Sequence, residues 1–223
     1  MKRIFLFCGH YGSGKTNLAV NFALDLKKKG YPTAIADIDI VNPYFRTKDS
    51  EKLLKDEGIE VISLPFANTN VDLPSLPSEV YSLVQNREKK AVFDVGGDDR
   101  GALALGRYVP AILEENDYEM IFVVNFFRPL TRSAEDALSV MKEIEAACGI
   151  PFSAIVNNSN LGEETAAEDV LSTRKECEKL SLLSSLPVMM TSAEKRIAGQ
   201  IPGAFPLSLQ KRPIDEIRKE TRI

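Results

Sequence analysis

The octapeptide Gly9-His10-Tyr11-Gly12-Ser13-Gly14-Lys15-Thr16 constrains this chain more than any other feature of its sequence. It fits G-x-x-x-x-G-K-[ST], a phosphate-binding loop, and its setting is right. An apolar run, "IFLFC", precedes it as a strand. A helical pattern starts at Lys15 and stops at Gly30-Tyr31-Pro32. Glycines let backbone N–H groups turn inward around phosphate oxygens, and the following helix presents its positive end. The expected nucleotide contacts are therefore Gly9, His10, Gly12, Ser13, Gly14, Lys15, Thr16 and Asn17. Lys15 would reach the β- and γ-phosphates, a catalytic role, and the Thr16 hydroxyl would ligate Mg2+.

Such a loop needs a parallel sheet around it, and the rest of the chain supplies the elements. Strands are expected at residues 3–8, 33–37, 60–64, 91–95, 120–125, 153–157 and 186–190. Several are apolar on successive residues, as buried parallel strands are. Helical patterns fall between them at 15–29, 48–57, 76–87, 100–116, 132–148 and 164–179. Alternation of this kind implies right-handed βαβ units. The expected fold is α/β, a doubly wound, mostly parallel sheet of about seven strands with helices on both faces. The 223 residues read as a single nucleotide-binding domain, 1–223, with no repeat or linker. The stretch 68–79 reads as a loop entering a helix.

Three further stretches carry chemistry. "AIADIDI" ends a strand in Asp37 and Asp39, which alternation places on one face, at the edge where α/β sheets hold ligands. Carboxylates there would hold the waters of a Mg2+ ion or orient an attacking water. "AVFDVGGDD" runs from an apolar strand into D-x-x-G, so Asp94 would bind Mg2+ through water and the Gly97 N–H would sense a γ-phosphate. "FSAIVNNSN" ends a late strand at Asn157, whose amide is placed to read a purine edge. It lacks the N/T-K-x-D pattern of a GTPase, which favours adenine over guanine.

Composition excludes other classes. Net charge is −4, so no general cationic footprint for nucleic acid exists. The three cysteines, Cys8, Cys148 and Cys177, lack metal-ligand or CxxC spacing and read as reduced core residues of a cytoplasmic protein. No apolar run approaches the length of a membrane span. The C-terminal stretch 212–223 has a thin apolar face interrupted by acids, a poor membrane or DNA surface.

On the loop, Asp37 and Asp39, the D-x-x-G at Asp94–Gly97 and the Asn157 strand end, the chain resembles the MinD/ParA/nitrogenase iron-protein group, the deviant Walker A or SIMIBI class of P-loop ATPases. The resemblance implies that Asp39 is the switch I carboxylate used in hydrolysis, Asp94 the switch II Mg2+ ligand, and Asn157 the adenine-reading amide. It also pairs Asp98 with an acidic switch II residue, a third catalytic candidate beside Lys15 and Asp39. By the same resemblance, the chain would hydrolyse ATP slowly with Mg2+, form a homodimer in the ATP state, and signal to a protein partner. No Fe–S cluster is expected, because Asp98-Asp99-Arg100-Gly101 stand where that branch carries a cysteine.

The loop departs from the family pattern at its start. Family loops carry a lysine that crosses the dimer; here that position is His10, followed by Tyr11. His10 is either a weaker, pH-sensitive cross-subunit contact or a loop filler, and Arg46, Arg100 and Arg128 follow strand ends as substitute cations. Two other functions stay open on this scaffold. One is a small-molecule kinase or ATP-dependent ligase of the dethiobiotin-synthetase kind, with Tyr44, Phe45 and Arg46 lining an acceptor pocket. The other is a nucleotide-binding regulator without turnover.

Overall fold

The strand "IFLFC" has no polar residue because both of its faces are covered. Ile4, Leu6 and Cys8 enter one apolar cluster, with Phe93, Phe122, Leu105 and Met141, while Phe5 and Phe7 enter a second with Leu18, Phe22, Ile35 and Val92. In the second cluster Phe22 meets Phe5 and Phe7 edge-on at centroid distances of 4.8 and 5.2 Å. The computed structural model describes residues 1–39, 50–63, 78–97 and 99–209, without the side chains of residues 78, 99, 100 and 102. Asp98, Arg46 with the rest of 42–49, residues 68–77, the stretch 212–223 and the Arg100 side chain lie outside the described residues.

Among the described residues the strands are β1 (Ile4–Cys8), β2 (Thr33–Asp37), β3 (Glu60–Ser63), β4 (Lys90–Asp94), β5 (Tyr118–Val124), β6 (Ala154–Asn157), β7 (Val188–Glu194) and β8 (Phe205–Leu207). They form one eight-stranded sheet in the order β3-β2-β4-β1-β5-β6-β7-β8, every pairing parallel. This is the α/β P-loop NTPase fold. The eighth strand escaped the sequence because it is three residues long and contains Pro206, which an edge strand tolerates.

The helices are α1 (Lys15–Lys28), α2 (Glu51–Asp56), α3 (Ser78–Gln85), α4 (Asp99–Gly106), α5 (Val109–Glu115), α6 (Ala134–Cys148), α7 (Ala167–Ser172), α8 (Arg174–Ser184) and α9 (Lys195–Ala198). Two expected helices are each broken in two. Pro110 sits in the first turn of α5, where its ring cannot follow an unbroken helix past the carbonyl of Gly106, so 100–116 divides. The 164–179 pattern divides at Thr173, whose hydroxyl donates back to the Val170 carbonyl at 2.7 Å and accepts from Asn157 Nδ2 at 2.9 Å.

β1 is central, with β4 on one side and β5 on the other. Its carboxyl end therefore opens where the strand order changes direction, the place where open α/β sheets hold ligands. The opposite end of the sheet is closed by Arg3, which is buried, pairs with Glu115 and donates to the carbonyls of Leu83, Asn86 and Lys89 at 3.2, 3.0 and 3.2 Å.

Candidate nucleotide site

The loop from Gly9 to Gly14 leaves β1 and enters α1 through Gly14, whose φ of +83° few residues other than glycine adopt. A second constraint acts there: a β-carbon on Gly14 would overlap Asn158 Nδ2. α1 has no side-chain cap and no acid in its first turn. The positive dipole end of the helix thus suits an anion. Ser13 is buried, and its Oγ has no hydrogen-bond partner among the described residues.

On the β4 side of the loop lies the charge. Parallel register sets Asp37 opposite Asp94 on neighbouring strands. Asp37 Oδ1 accepts the Asp39 N–H at 3.1 Å, which turns the chain after β2 and aims Asp39 at the loop. Asp39 Oδ2 then pairs with Lys15 Nζ at 3.1 Å, both side chains being 4% exposed. Burial by itself would lower the Lys15 pKa, but the Asp94 and Asp39 carboxylates outweigh it and hold the ammonium above its ordinary 10.5. Gly96 and Gly97 pack on the same group. A β-carbon on Gly97 would overlap the Gly9 carbonyl oxygen, and one on Gly96 would come 3.1 Å from Asp39 Oδ1. Cys8 Sγ donates to Gly96 O at 3.5 Å, and burial pushes that thiol up to about 12, so it stays protonated.

Thr16, Asp37 and Asp94 are all buried oxygen donors. Among the described residues no three His, Cys, Asp or Glu side chains converge as a metal cage. That donor set suits Mg2+, which takes few protein ligands and completes its shell with water and phosphate. Thr16, Asp37 and Asp94 would hold it.

On the β5 and β6 side the loop is braced by amides. Asn158 Nδ2 donates to Ser13 O at 2.6 Å, and its Oδ1 accepts from Ser192 Oγ at 2.6 Å, tying the loop to β6 and β7. Buried Asn125 joins the β5 and β6 ends: its Nδ2 donates to Asn160 O at 3.1 Å and its Oδ1 accepts from Phe127 N at 3.0 Å. Arg128 Nε donates to Gly12 O at 2.9 Å. His10 Nδ1 lies 3.1 Å from Tyr11 O, and Tyr11 is 58% exposed. A cavity of about 640 Å3 opens here, walled by His10 to Gly12 and Gly14 to Asn17 of the loop, by Arg128 and Asn158 to Asn160, and by Ser192 to Glu194.

The structure thus gathers Gly9, His10, Gly12, Ser13, Gly14, Lys15, Thr16, Asn17, Asp37, Asp39, Asp94 and Gly97 around one loop. Asn157 stands apart. It is 0% exposed, outside the cavity wall, with its Nδ2 on Thr173 Oγ1 and its Oδ1 on Ser159 N and Oγ at 3.1 and 2.7 Å. Its amide is bonded within the protein, and the asparagines that line the cavity are Asn17, Asn158 and Asn160. "NNSN" offers three amides, and nothing in the sequence says which of them the turn consumes.

A family model for the CobQ/CobB/MinD/ParA nucleotide binding domain matches residues 5–170. The chain belongs to this family. No curated protein sequence matches it. Solved structures with similar folds include FtsY from Mycoplasma mycoides, at TM-score 0.59 and 17% identity over 87% of this chain and 61% of that one. The cell division protein FtsY from Thermotoga maritima gives TM-score 0.59 and 14% identity over 87% and 62%. The 54 kDa signal recognition particle protein from Aeropyrum pernix, in complex with GDP, gives 0.52 and 17% over 85% and 41%. The chain spans less than two thirds of the length of each. At these identities the likeness concerns the fold alone. As a member of the CobQ/CobB/MinD/ParA family, the chain has a nucleotide-binding P-loop fold. Among the described residues no helix is long and apolar enough to cross a membrane.

Proposed function

We propose that the protein is a Mg2+- and ATP-dependent switch that hydrolyses ATP slowly and changes its self-association and protein partners with the nucleotide bound. One observation carries this reading: the buried Lys15 ammonium, held charged by Asp39 and Asp94 beside the uncapped start of α1. A buried ion pair of this kind contributes little to stability by itself. It suits a group kept protonated for phosphate.

In this reading triphosphate oxygens take Asp39's place on Lys15, and the freed Asp39 orients the attacking water. Asp94 and Asp37 would hold the waters of a Mg2+ ion, which would supply positive charge beside the phosphates. Gly97, seated on Gly9, carries the change toward Asp98 and the segment beyond it. Adenine is favoured by the lack of an N/T-K-x-D element. Exposed Tyr11 and Leu130, 58% and 56% accessible beside the cavity, support a docking face there.

The test is light scattering with Mg-ATP, Mg-ADP and Mg-GTP. The reading expects a dimer with Mg-ATP alone and slow phosphate release. A monomer under all three conditions, with ATP consumption that depends on a small-molecule acceptor, replaces the switch with a kinase or ligase.

A further inference from the structure

Of the three arginines that follow strand ends on the ligand edge, Arg128 is the one whose side chain the structure places, and it lies on the phosphate loop. Its Nε donates to Gly12 O at 2.9 Å, and a β-carbon on Gly12 would come 3.2 Å from that nitrogen. The backbone that carries it is fixed. Arg128 N donates to Asn125 O at 3.1 Å, Thr131 N to Arg128 O at 3.1 Å, and Thr131 Oγ1 to Asn125 O at 2.7 Å, with Pro129 between. Asn125 is itself buried and bonded to Asn160. The long side chain is thus held at both ends, by the β5 turn and by Gly12.

Arg128 shares the cavity wall with His10, Lys15 and Thr16. Among the described residues no carboxylate forms an ion pair with it. A guanidinium carries five N–H donors in a planar fork that matches phosphate oxygens. One donor is used on Gly12, which leaves the terminal nitrogens Nη1 and Nη2 to face an anion. His10, two residues from Gly12, stands on the same wall.

We propose that Arg128 is an intramolecular phosphate clamp: anchored on Gly12 through Nε, it holds the outermost phosphate of a bound nucleoside triphosphate with Nη1 and Nη2. This rests on the nucleotide reading above and adds that a cation reaches the loop from the turn that follows β5 of the same chain. A clamp of this kind contributes to triphosphate affinity without a second subunit. It favours triphosphate over diphosphate, and its effect weakens as salt rises.

The test uses calorimetric titration of the full chain with Mg2+ and a non-hydrolysable ATP analogue, and with Mg-ADP, at 50 and 300 mM salt. The variants are Arg128→Ala and Arg128→Gln; the glutamine keeps a neutral donor for Gly12 O and loses the charge. Both variants are expected to bind the triphosphate about tenfold more weakly than wild type, the loss of one charge-assisted pair, and the diphosphate nearly as well. Their triphosphate affinity should also fall less steeply with salt. Arg128 as a mere strut for the loop would give a different result: Arg128→Gln near wild type, or equal losses for the two nucleotides. Either outcome overturns the clamp. Equal triphosphate binding by all three proteins also overturns the clamp and leaves the nucleotide reading intact. A wild type that binds neither nucleotide overturns both.

Discussion

Asn158 Nδ2 donates to the carbonyl oxygen of Ser13 at 2.6 Å, and Gly14, next in the chain, has no β-carbon because that amide nitrogen occupies the space. The phosphate loop is thus held from outside by the end of β6, and its shape depends on a residue 145 positions away. Asn158→Ala should leave a loop that folds but is loosely set. Nucleotide affinity should fall about tenfold, as the loss of a buried hydrogen-bonding group predicts. Titration calorimetry checks this; unchanged affinity would remove Asn158 from the site.

Asn157→Ala should act differently. Its amide bonds Thr173 and Ser159. The buried partners it leaves cost about 1–3 kcal/mol of stability. Thermal melting should show that loss, while the folded fraction binds ATP and GTP in the same ratio as wild type. A changed ratio would return Asn157 to the role of base reader.

Asp39 competes with phosphate for Lys15, since the two are 3.1 Å apart. Asp39→Ala should therefore bind Mg-ATP at least as tightly as wild type, yet hydrolyse it on the order of a hundredfold more slowly for want of a group to orient water. Single-turnover phosphate release decides the matter, and wild-type turnover would take Asp39 out of the chemistry.

The Lys15 shift fixes a pH dependence. Its folded pKa lies above the ordinary 10.5, so the ion pair's stabilisation is complete below that value and is lost as pH rises through the folded one. Wild-type nucleotide affinity should show no Lys15 titration between about pH 7 and 10. In Asp94→Asn the larger of the two raising charges is gone and burial lowers the pKa, so the alkaline fall in affinity moves to lower pH. Identical profiles for the two proteins would show that Asp94 does not govern this charge.

Gly97→Ala places a methyl group against the Gly9 carbonyl, a backbone atom with no freedom to yield. Loss of nucleotide binding with retained secondary structure by circular dichroism is expected. Normal affinity would mean that Gly97 does not bear on the loop when nucleotide is bound.

Much of this site was legible because its chemistry is local. Gly12 to Thr16 needs one strand and one helix, and Asp37, Asp39 and Asp94 sit at strand ends that apolar runs announce. What escaped was the set of long-range braces. Asn158 and Arg128 bond the distant carbonyls of Ser13 and Gly12, and no spacing in the sequence records which polar group a turn consumes. In the fold, the split at Gly106–Pro110 was visible in the proline, whereas Thr173, at the other break, bonds Asn157, 16 residues earlier. The short β8 follows from pairing with β7, a tertiary fact.

The central claim is that Lys15 and its carboxylates form a nucleoside triphosphate site, and the most direct measurement is calorimetric titration of wild type and Lys15→Ala with Mg2+ and a non-hydrolysable ATP analogue. The account predicts one site per chain in the wild type, and binding at least a hundredfold weaker in Lys15→Ala, the scale on which a buried cation paired with phosphate acts. Equal affinities for the two proteins, or a wild type that binds neither ATP nor GTP analogues, would contradict it.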